Sequence, residues 1–62
     1  MESNEKEIIA IARLVQQECI RAAREGFQDA SMSGLCREGA LEAAIGSIQS
    51  LDLEKLIEQV RK

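Results

Sequence analysis

Two thiols and a few carboxylates are the groups in this chain whose types and spacing could do chemistry. Cys19 and Cys36 are its only cysteines. Ser33 is a good N-cap residue, so Cys36 is expected in the first turn of a helix that starts near Gly34. Free backbone N–H groups and the positive end of the helix dipole there favour a thiolate, and Arg37 is adjacent. Cys36 is therefore the candidate reactive or redox-sensing thiol. The plainer and favoured expectation is a small apolar residue packed on a neighbouring helix, because free cysteine is among the most often buried residues. Cys19 is expected in the core. A helical hairpin sets Cys36 beside residue 28, about 13 Å along the axis from Cys19. A disulfide needs Cα atoms within about 7 Å, so no intrachain bridge is expected.

Glu38 and Glu42 stand four apart on one helical face. Paired carboxylates can do acid–base work or hold a metal. There is no histidine and no second acidic cluster to face them, so a solvated surface is expected. Glu18, Arg21 and Glu25 have the spacing of surface ion pairs worth a few tenths of a kcal/mol. Gly39 and Gly46 each cost a helix about 1 kcal/mol. They mark either a close approach of the first helix, which is favoured, or a ligand groove. With two cysteines and no histidine a zinc site is not expected. No nucleotide loop, catalytic triad or cofactor motif is present. No catalytic residue, cofactor or metal is therefore assigned. The formal charge of −3 and a single aromatic, Phe27, give nucleic acid neither a basic face nor a stacking platform. The opening MESNEKE is acidic rather than signal-like. No apolar run reaches the roughly 18–20 residues that span a bilayer. Cytoplasmic location, with reduced thiols, is the expectation.

Positioning these groups falls to helices. The chain has no proline and is rich in helix formers. The first helix is predicted over about 5–30, with Ser3 or Asn4 as N-cap. Its apolar face holds Ile8, Ile11, Ala12, Val15, Cys19, Ala22, Ala23, Gly26 and Ala30, widened on one flank by Ile9, Ile20 and Phe27. After the break at Ser31-Met32-Ser33-Gly34, Met32 is expected to fold back on Phe27. The second helix is predicted over about 34–50. It carries a bulky strip, Leu41, Ala44, Ile45 and Ile48, and a small strip, Cys36, Gly39, Ala43, Gly46 and Ser50. The third is predicted over about 53–61, with Asp52 as N-cap and Leu51 and Leu56 at hydrophobic-staple positions. A short loop makes the first two helices antiparallel, with Gly26 expected near Gly39 and Ala22 near Ala43. The third helix should lay Leu53, Leu56, Ile57 and Val60 on the first half of helix one.

The expected fold is all-α: one domain over residues 1–62, a small three-helix bundle with one long helix and two shorter ones. A chain of 62 residues buries little core and usually needs a staple or a partner. Leu41, Ala44, Ile45 and Ile48 are the expected interface of a homodimer or of another protein partner. A pocket of about 300 Å³ or more is not expected within a single copy.

The stretch DASMSGLCREGALEAAIGSIQSLDL, Asp29–Leu53, resembles a group of short uncharacterised bacterial proteins. They share an SGLC-x-EG-x-x-E-x-A element and an LDL helix start, and some are labelled acetyltransferase. An acetyl-CoA fold needs a sheet and a pyrophosphate loop, so the resemblance implies an accessory role beside such an enzyme. The reading is a helical protein–protein interaction module without catalysis of its own. The alternatives are a thiol-dependent regulator acting through Cys36, or an accessory subunit of a larger enzyme.

Overall fold

A run of more than thirty residues without proline, rich in alanine, glutamate and arginine, has nothing to stop it being helical until small polar residues intervene. The structure is a computed structural model that describes residues 2–61, with side chains from Asn4 onward. Among these residues there are three helices: α1 Glu2–Met32, α2 Arg37–Gln49 and α3 Leu53–Arg61. No strand is present among them. The all-α class and the three helices are as expected, and α3 has the predicted bounds. The backbone is already helical at Glu2, so Asn4 lies within α1 rather than at its cap, and the Ser3 side chain lies outside the described residues.

The turn between α1 and α2 differs from the expectation, and Gly34 is the reason. It has φ +96°, the left-handed region that glycine enters without a Cβ penalty. Its N–H donates to the Ser31 carbonyl at 3.0 Å, and the Leu35 N–H donates to the Ala30 carbonyl at 3.0 Å. This 5→2, 6→1 pair of bonds is the Schellman ending of a helix. Gly34 therefore finishes α1 rather than starting α2, and α2 begins at Arg37. Leu35, not Met32, holds the position that accompanies such an ending. Met32 is 83% exposed and does not fold back on Phe27.

The three helices form two layers. α2 packs on the C-terminal half of α1, and α3 packs on its N-terminal half. An ion pair of 3.5 Å between Arg61 Nε and Glu7 Oε2 places the end of α3 beside the start of α1. α2 and α3 do not pack on one another, so the expected bundle has no three-sided core. The link Ser50–Asp52 explains this. Ser50 stays right-handed at φ −86°, ψ −1°, and no described residue except Gly34 has a positive φ. Asp52 then caps α3, accepting the Lys55 N–H on Oδ1 at 3.1 Å. The chain bends and continues along α1 instead of reversing. The result is a rod of 49 × 15 × 13 Å measured over Cα atoms.

Candidate functional site

The α1–α2 contact is built from small residues. Ala30, Ala40 and Ala44 are buried there, and Leu56 under α3 is the one large side chain with them. Gly26 sits against α2 so closely that a Cβ would collide with the Ser47 hydroxyl and stand 3.1 Å from the Ala43 carbonyl oxygen. Ser47 is half-buried there, and its hydroxyl donates to the Ala43 carbonyl at 3.0 Å. Gly26 thus meets Ala43 and Ser47, about one turn further along than the expected Gly39. A Cβ at Gly39 would touch Leu35 of its own chain segment, and one at Gly46 would touch nothing. Neither glycine serves the close approach expected of it. The physical cause is a rotation of α2, which turns Ala40, Ala44 and Ser47 inward rather than the predicted small strip.

That rotation draws the bulky strip partly inward but leaves its larger side chains outside. Leu41 is 54% exposed and Ile45 43%, while Ile48 is half-buried. Ala44, predicted beside them, is buried and lies at the floor of a groove. On α1 the flank predicted from Ile9, Ile20 and Phe27 is exposed along its length. Ile20, Ala23 and Phe27 from α1 and Leu41 and Ala44 from α2 line an open groove of about 700 Å³, rimmed by Arg24 and Gln28. This overturns the expectation that one copy would form no such concavity. Ile8 and Ile9 are exposed near the start of α1, and Leu53 at the start of α3.

The chemical candidates lie elsewhere. Cys36 is exposed and is itself the N-cap of α2, at φ −71°, ψ 171°, without a side-chain capping bond. It is neither inside the first turn nor packed on α1, because Gly34 delays the helix. Cys19 is half-buried, and neither cysteine is bonded to another. Glu38 and Glu42 are exposed. Arg21 pairs with Glu18 at 3.7 Å and with Glu25 at 3.8 Å, as their spacing predicts. Among the described residues no group of three or more acidic or cysteine side chains is arranged to hold a metal ion. Among the same residues no helix is long and apolar enough to cross a membrane. The chain matches no protein-family model, no curated protein and no solved structure with which it was compared.

Proposed function

We propose that this chain is a cytoplasmic protein–protein interaction module that works as a homodimer, with no catalysis of its own. One observation carries the reading: a single copy exposes more total surface than a compact monomer of its mass, with large apolar side chains among the exposed residues. Its accessible surface is 5184 Å², where a compact monomer of 6.8 kDa exposes about 4,000 Å². The excess, about 1,200 Å², exceeds the roughly 800 Å² that each partner contributes to a standard interface. Among the described residues nine large apolar side chains are exposed, and no large side chain is fully buried. Soluble monomers usually avoid contiguous apolar patches of this kind. A second copy supplies a matching apolar face, and two-fold dimers are the commonest closed assembly. An accessory role beside an enzyme, as the resemblance implies, is compatible with such a dimer.

Sedimentation equilibrium of the purified chain at micromolar concentration tests the proposal. A dimer is expected. Leu41→Glu should dissociate it, because Leu41 lies on the groove wall and a charge there is stranded on closure. Glu at the exposed Gln49 should leave it intact. A folded monomer at these concentrations would overturn homodimerisation.

A further inference from the structure

The groove between α1 and α2 exists in a single copy, whether or not a second copy closes over it. Two alanines, Ala23 and Ala44, form its floor, with Ile20 and Phe27 as one wall and Leu41 as the other. Small residues between large ones leave a concavity of about 700 Å³, within the range of about 300–1,000 Å³ that holds small ligands. Its polar lining is confined to one edge, Arg24 and Gln28 of α1. A trough with apolar walls and its one charge on a rim is the counterpart of a molecule with an apolar tail and a charged head. We propose that this groove binds a single-chain amphiphile with a carboxylate head, a free fatty acid, with its tail between Ile20, Phe27 and Leu41 and its head at Arg24. The site goes beyond the homodimer reading and does not require it.

The charge distribution on α1 sets the sign of the head. Lys6, Arg13, Gln17, Arg24 and Gln28 recur at spacings of seven and four, so they share one line of the helix. All five are exposed. Glu7, Glu18, Glu25 and Asp29 each follow a member of that line by one residue, so they lie about 100° round the helix from it. Glu5 is the one acid of α1 with a described side chain off the acidic line, and it stands about 22 Å along the axis from Ile20. Arg21 is held by Glu18 and Glu25, whereas Arg24 makes no ion pair among the described residues. The edge of the groove is therefore locally positive, although the chain carries −3 overall. Glu38 and Glu42 are exposed on α2 and do not line the groove. They steer an anionic head to the α1 edge. They also oppose the approach of a flat anionic bilayer, which favours one molecule seated in the groove over a membrane surface.

Titration calorimetry of the purified chain with laurate, below its micellar concentration, tests the site against dodecyltrimethylammonium, which has a similar tail and the opposite charge. Saturable binding of laurate is expected, tighter than that of the cation. A chain of net charge −3 that took up amphiphiles without a site would prefer the cation, so equal or reversed preference overturns the proposal. Arg24→Gln should weaken laurate binding about tenfold through loss of one charge-assisted contact. Arg21→Gln, off the groove lining, should leave it unchanged. Equal weakening by both variants shows diffuse attraction and refutes the site. In NMR spectra the methyl groups of Ile20, Ala23, Leu41 and Ala44 should shift on titration. Shifts centred on Ile8, Ile9 and Leu53 overturn the placement. Laurate should also raise the thermal midpoint, and a lowered midpoint marks detergent action and counts against the site. Cosedimentation with phosphatidylglycerol vesicles, without binding of free laurate, assigns the face to a membrane and overturns the proposal. Sedimentation equilibrium with and without laurate keeps the two readings apart. A monomer that binds laurate removes the homodimer and leaves this site, and a dimer that does not bind it does the reverse.

Discussion

Gly34 and Gly26 do different jobs that a sequence does not separate, since both are simply glycines near a helix end. Gly34 is needed for its backbone, with φ +96° and open space where a Cβ would be. Gly34→Ala should cost about 1–2 kcal/mol through left-handed strain alone, seen as a lower thermal midpoint. Gly26 is needed for its missing side chain. The cysteines differ by position rather than type. Cys36 is exposed and Cys19 half-buried, so maleimide should label Cys36 faster in the folded protein. Equal rates would show that α1 opens as readily as the loop end. Leu56 is the one large buried side chain among the described residues, and its truncation to alanine should cost about 2–4 kcal/mol, measured by denaturant unfolding.

Helix α3 was legible to the residue, because its apolar positions form one sharp stripe and Asp52 announces its start. α2 was legible as a helix but not in orientation. Its inner and outer faces are both apolar, so periodicity could not say whether Ala40 and Ala44 or Gly39 and Gly46 look toward α1. The structure decides for the alanines, and this makes a paired prediction. Gly26→Ala should destabilise by about 1–2 kcal/mol, as overpacking against Ser47 outweighs improved helix propensity. Gly46→Ala meets nothing within 4 Å and should stabilise by about 0.5–1 kcal/mol. Thermal melts of the two variants should move in opposite directions. Of the proposed interface residues, Leu41 and Ile45 are exposed, Ile48 is half-buried and Ala44 is buried. The other wall of the groove, from Ile20 and Phe27, reads in the sequence only as a flank of the core face. The groove depends on how two helices are rotated, and neither helix alone encodes that.

At the scale of the whole molecule, the radius of gyration is 14.6 Å, against about 11 Å for a compact chain of this length. A rod so thin gains much of its burial from association, so its melting temperature should rise with protein concentration. A midpoint constant over a hundredfold range of concentration would contradict the dimer. The two short helices grip the long one separately and do not touch each other. Nothing obliges them to let go together. α3 holds on through Leu56, its half-buried neighbours Ile57 and Val60, and the partly exposed Arg61–Glu7 pair. α2 is held over thirteen residues by close backbone approach. Amide hydrogen exchange should therefore resolve two opening events of different free energy. The amides of α3 should exchange sooner, while those of α2 and the facing half of α1 stay protected as one cooperative unit.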